Sequence, residues 1–155
     1  MRLKSFTGIG TEERHALILL DSYRRLLGKP LMETNADKPA AEQLFEAPIA
    51  VLSHGTQLAP VLNYGNRTAL GLWEMDWNAF TSMESRHTAE PLIQAERQRF
   101  LEAVAAKGYI DDYSGIRIAA SGRKFRIEEA VVWNLVDEAG DYYGQAAAFA
   151  KYTRV

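Results

Sequence analysis

The chain has 155 residues, no cysteine and a formal net charge of −2. That length suits a single domain whose core needs no disulfide or metal staple, and the missing thiols exclude disulfides, thiolate metal sites and a cysteine nucleophile. The charge balance lacks the basic excess of a nucleic-acid binder, so Arg24-Arg25 and Arg123-Lys124 read as solvated surface and direct nucleic-acid binding is not expected.

The opening stretch MRLKSFTGIG lacks the apolar run of a signal peptide, and no purely apolar run, Ala16 to Leu20 included, is long enough to span a membrane. A cytoplasmic location without membrane association is the expectation. Thr11 is placed to cap a first helix, with Glu12 and Glu13 near its positive end. Ala16, Leu19, Leu20, Tyr23, Leu26 and Leu27 recur at helical spacing until Gly28 and Pro30 end the run. Leu17 and Ile18 widen the apolar stripe. Such a helix buries two sides, one on its own domain and one on a partner chain, or else faces the core of a monomer with one broad side. On the first alternative Leu17, Ile18, Leu20 and Tyr23 are candidates for a homodimer interface. Residues 1–38 are read as this N-terminal helix and a linker, and residues 39–155 as the domain proper.

A short helix is expected over 39–46, a buried strand at Ile49-Ala-Val-Leu, a turn at His54-Gly55-Thr56 and a second strand over 60–64. Asn66 and Asp76 are helix caps by position. An amphipathic helix is expected over 91–107, with Leu92, Ala95, Phe100, Leu101 and Val104 as its apolar positions and Gly108 as its end. The period then changes to two. Ile110, Ser114, Ile116 and Ile118 share one side of a strand with Asp112, and Ser121-Gly122 makes a hairpin turn. Phe125, Ile127, Val131, Trp133 and Leu135 form one face of a long strand that Glu129 interrupts, as a buried polar group or the mark of a bulge. A last strand runs over 142–152. The order describes an α+β domain with a five-stranded antiparallel sheet, short helices and one longer helix on one face, and an N-terminal amphipathic helix.

The segments LFEAP, LSHGT, NYGNRTALGLWEMDW, TAEP, GYIDDYSGIRI, SGRKFRI and VWNLVD, together with that order of elements, resemble the bacterial stand-alone MEKHLA-domain proteins of the PAS-like superfamily. The resemblance spans about residues 14–150. The literal string Met-Glu-Lys-His-Leu-Ala is absent, and the transcriptional role of the plant relatives is not carried over. What the resemblance implies is a PAS-like fold, a sensory or protein-interaction role, possible dimerisation, and a small organic ligand between the sheet and the helices. By that analogy Asn63, Trp73, Trp77, Asp112, Ile116, Ile127 and Trp133 are the candidate ligand-binding residues. A flavin-cysteinyl adduct is excluded by the absence of cysteine. Haem is not expected, since no histidine lies within 91–107, and the cofactor is otherwise unknown.

No catalytic or metal-binding residues are assigned. Asp111 and Asp112 are adjacent in a strand and point to opposite faces, so they do not form a carboxylate pair. Ser53-His54 lacks the Gly-x-Ser-x-Gly elbow, and His15, His54 and His87 have no metal-ligand spacing. The alternative function is a small cofactor-free enzyme using Asp112 with Tyr113 or His54.

Overall fold

The computed structural model describes residues 5–155; the first four residues of the opening stretch lie outside them. Strand β1 (Ala50–His54), β2 (Leu62–Gly65), β3 (Tyr109–Ile118), β4 (Lys124–Val136), β5 (Tyr142–Phe149) and β6 (Lys151–Arg154) form one antiparallel sheet. Its order is β2-β1-β5-β4-β3, with β6 beside the first half of β4. β5 and β6 pair with β4 in one continuous register, Val131 opposite Ala148 and Glu128 opposite Lys151. They are the single last strand expected from the sequence, bent at Ala150.

The N-terminal helix α1 (Glu13–Leu27) packs across one face of the sheet. Its cap is Glu12, one residue later than Thr11, which instead closes a 3-10 turn by donating its hydroxyl to the Gly8 carbonyl. Gly28 ends the helix in the left-handed conformation (φ 77°). Helix α2 (Ala40–Phe45) packs against α1, and Glu13 accepts hydrogen bonds from the Ala40 and Ala41 amides at its start. The first helix is therefore bonded into the fold.

On the opposite face lie α3 (Arg67–Trp73), the 3-10 turn Ser85–Thr88 and α5 (Gln94–Lys107); α4 (Trp77–Phe80) sits at the β2 edge. Asn66 and Asp76 cap α3 and α4, accepting from the Ala69 and Ala79 amides. Asn66 does more than cap. Its buried amide also accepts from the Val51 N–H and donates to the carbonyls of Leu44 and Ile49, which ties α2, β1 and α3 together. The long helix α5 buries no residue completely. Phe100, Ala103 and Val104 lean on the core while Leu101 stays exposed, so its amphipathic stripe is shallower than the sequence suggests.

Two backbone irregularities decide which side chains face which layer. Glu129 is exposed with φ 53°, the bulge alternative for this position. It reverses the alternation along β4: Phe125 packs on Trp73 beside α3, whereas Trp133 lies under α1 and donates its indole N–H to the Leu19 carbonyl. The single face expected over 125–135 is thus split between the two layers. On β3 the register to β4 shifts between Ile110 and Tyr113. Ile110 points inward, and from there Tyr113 and Gly115 are the buried residues. A shift of one residue moves every later side chain to the other face. Among the described residues, no helix is long and apolar enough to cross a membrane.

Candidate functional site

Side chains alternate along each strand, so the two faces of the sheet carry different chemistry. On the α1 side Ser53, Ala146 and Trp133 lie next to one another across β1, β5 and β4; on the other side Leu52, Ala147 and Val132 do the same. The second row floors a half-enclosed cavity of about 220 Å³ between the sheet and the layer of the Ser85–Thr88 turn and α5. Phe100 and Thr88 contribute from that layer, Tyr113 and Arg117 from β3, His54 from the end of β1 and Gln145 from β5 opposite it. Gly144 brings β5 against the end of β1: a Cβ there would lie 2.2 Å from the His54 carbonyl oxygen, and its φ of 148° already disfavours any other residue.

The polar groups of the cavity are partly committed. His54 Nδ1–H donates to the Gly55 carbonyl at 2.9 Å, and Gln145 donates to Asn134 Oδ1 at 3.1 Å. Arg117 donates to the Tyr113 hydroxyl at 3.1 Å and to the Ile116 carbonyl at 3.3 Å, with its guanidinium 5.3 Å from the Tyr113 ring centre. No aspartate or glutamate lines this cavity.

On the other face, under α1, runs a buried polar chain. Ser53 donates its hydroxyl to Asn63 Oδ1 at 2.5 Å, so it must accept from His15 Nε2–H at 3.0 Å. His15 Nδ1 then accepts from the Tyr143 hydroxyl at 2.9 Å. Burial, with a smaller contribution from the Arg14 charge, lowers the His15 pKa from 6.5 to about 4. This is not a nucleophile and its base: the imidazole hands Ser53 a proton donor where activation needs an acceptor. Asn63 and Tyr143 also reach a wider, more open pocket of about 680 Å³ between the β1–β2 turn and the N-terminal segment. Beside the chain, the Tyr64 hydroxyl is fully buried with no hydrogen-bond partner among the described residues, and burial raises its pKa.

The seven candidate ligand residues are not brought together. Trp73 is buried against Phe80, Phe125 and Phe149 and donates to the Thr88 carbonyl. Trp77 stacks on Phe6, with ring centres 4.8 Å apart, and donates to the Thr7 carbonyl. Trp133 and Asn63 lie on the α1 side, Ile127 is buried in the core, and Ile116 is half-buried with its carbonyl taken by the Glu90 amide and Arg117. Asp112 sits at the β3 register shift, 66% exposed and paired with Arg99 at 3.0 Å. None of the seven lines the cavity. Asp112 is therefore not assembled with Tyr113 and His54, which do line it. Of the interface candidates, Ile18 and Tyr23 are buried within the chain and Leu20 is half-buried, leaving Leu17 outward at 43% exposure. Arg117 is absent from the candidates expected from the sequence, and Tyr113 is among them only in the enzyme alternative, because the shift after Ile110 reverses the face of β3; the alternation Tyr113, Gly115, Arg117 is the available signal. His15 lies within the first helix, and nothing local in the sequence marks Ser53 as its partner.

The MEKHLA-domain family model matches residues 13–154. The chain belongs to the MEKHLA-domain family. Its fold is that of PAS and light-oxygen-voltage domains. A PAS domain of a protein from Colwellia psychrerythraea is 11% identical, with a TM-score of 0.57 over 74% of this chain and 92% of that one. A PAS domain from a two-component sensor histidine kinase is 15% identical, with a TM-score of 0.54 over 74% of this chain and 91% of that one. The light-state dimer of the fungal blue-light photoreceptor Vivid is 9% identical, with a TM-score of 0.57 over 86% of this chain and 93% of that one. No curated protein matches this sequence. A flavin-cysteinyl adduct cannot form in this MEKHLA domain, which has no cysteine, and the cavity between the sheet and α5, at about 220 Å³, is below the roughly 300–1,000 Å³ of pockets that hold drug-sized ligands.

Proposed function

We propose that this MEKHLA domain is a sensory or protein-interaction module that takes a small organic ligand in the cavity between the sheet and α5 and reports it through the packing of a homodimer. The observation that carries the reading is the position of β1. Leu52 and His54 reach the cavity, while Ser53 between them is bonded to His15 of α1. A ligand that displaces β1 acts on both layers at once, because packed layers respond by discrete shifts of elements. Trp133, which donates to the Leu19 carbonyl, is a second tie between sheet and helix. The exposed Leu17 on α1 is the outward apolar contact proposed for the partner copy, and the similarly folded Vivid is a dimer in its light state.

Native mass spectrometry of freshly purified protein, compared with its denatured mass, tests both halves. The expected result is a dimer carrying extra non-covalent mass, with Leu17→Glu shifting it to monomer. A bare monomer at every concentration refutes the proposal, as does a dimer that Leu17→Glu leaves intact. The enzyme reading gains nothing from the geometry, since Asp112 is held outside the cavity by Arg99.

A further inference from the structure

We infer that the ligand of this cavity is a small organic anion, a carboxylate with a short apolar body, and that Arg117 is the residue that recognises it. The inference rests on the reading of the cavity as a ligand site and adds the chemical class. Three observations converge on it. The first is charge. Although the chain as a whole is net negative, the cavity wall contains Arg86 and Arg117 and no acidic side chain. Arg86 is neutralised by Glu84 at 2.8 Å. Arg117 has no carboxylate partner among the described residues, where other arginines such as Arg14, Arg67, Arg99 and Arg123 each have one. A half-buried guanidinium without a counter-charge is costly to keep, and a bound anion removes that cost.

The second is geometry. A guanidinium has five N–H donors, and among the described residues Arg117 uses them on two acceptors, the Tyr113 hydroxyl and the Ile116 carbonyl, both neutral. The remaining N–H groups suit the two oxygens of a carboxylate, which arginine binds as a planar fork. The head is held in place by stacking on Tyr113, and Gly115 between them provides the space: a Cβ at that position would come within 3.1 Å of the Tyr113 hydroxyl and 3.2 Å of an Arg117 terminal nitrogen. The Tyr113 hydroxyl, which accepts from Arg117, keeps its own proton to donate to the same ligand. The third is size and lining. Leu52, Phe100, Val132 and Ala147 supply an apolar part of the wall, beside polar groups such as Thr88 and Gln145, and about 220 Å³ admits only a compact body.

The test uses the full chain and ligand-observed NMR titrations with acetate, butyrate and benzoate, each against its neutral amide. The expected result is that at least one acid binds about tenfold or more tightly than its amide, the scale of a charge-assisted bond. That preference disappears in Arg117→Gln, falls to an intermediate value in Arg117→Lys, which keeps the charge without the fork, and is absent when Ala147→Trp fills the cavity. If acids and amides bind alike, or the preference survives Arg117→Gln, the anion inference is overturned while the cavity remains a ligand site. If neither series binds up to about 10 mM, an affinity too weak to matter, both the inference and the cavity reading fail. Arg117→Gln and Arg117→Lys are compared by circular dichroism, so a misfolded variant is replaced by Gly115→Ala. That variant crowds the guanidinium without removing it, and is expected to weaken the acid and spare the amide.

Discussion

Replacing His15 by glutamine should flatten the pH dependence of stability on the acid side. In the folded chain His15 is buried, neutral and bonded on both ring nitrogens, and its pKa falls from 6.5 to about 4. Between those values the unfolded chain binds a proton at this residue and the folded chain does not. Stability contributed by neutral His15 is therefore complete above pH 6.5, falls as the pH drops toward 4, and stops falling below it. Over the whole window the loss is about 3 kcal/mol, at roughly 1.4 kcal/mol per pH unit, and about 2.5 kcal/mol of it is lost between pH 7.5 and 4.5. That is a large share of the roughly 5–15 kcal/mol typical of a domain. Urea unfolding of the parent and His15→Gln, at matched ionic strength across this range, measures it. The carboxylates titrate in both proteins, so the difference between the two profiles isolates the histidine. The gap between parent and variant should close by about 2–3 kcal/mol on acidification. Parallel profiles would show that His15 is protonated as readily in the folded chain as in the unfolded one, and the polar chain through Ser53 and Tyr143 would lose its assigned hydrogen positions.

Other substitutions separate buried from exposed polar groups. Tyr64→Phe removes a buried hydroxyl that has no partner among the described residues and should raise stability by about 1 kcal/mol, seen as a higher urea midpoint at constant slope. Asn66→Ala breaks four buried hydrogen bonds, to Val51, Ala69, Leu44 and Ile49, and should cost about 3–5 kcal/mol; Asp76→Ala, which removes one exposed cap, should cost only about 1 kcal/mol. Equal losses in thermal or urea unfolding would contradict the distinction. Asp112→Asn removes an exposed ion pair with Arg99 and should change stability by less than about 1 kcal/mol and leave carboxylate binding in the cavity unchanged.

The caps at Asn66 and Asp76, the αL end of the first helix at Gly28 and the last antiparallel strands were legible because each depends on residues within a few positions of one another. Local chemistry of this kind is written in the chain order. The family was legible from a set of short motifs spread along the chain, some at caps and turns, such as NYGN and SGRK, and others within β3 and β4. The site was not. Its membership depends on which face of the sheet each strand residue meets, and period-two alternation carries that information only as far as the next irregularity. The register shift after Ile110 turned Tyr113 and Arg117 inward and left Asp112 with Arg99 outside; left-handed Glu129 sent Trp133 to α1 and Phe125 to Trp73. The partners of His15 come from strands 38 and 128 residues away, and no spacing rule joins them. By itself the sequence determined the elements, their order and the family. Only the tertiary structure decided which layer each side chain joined, because a single shifted residue costs little locally and reverses everything beyond it.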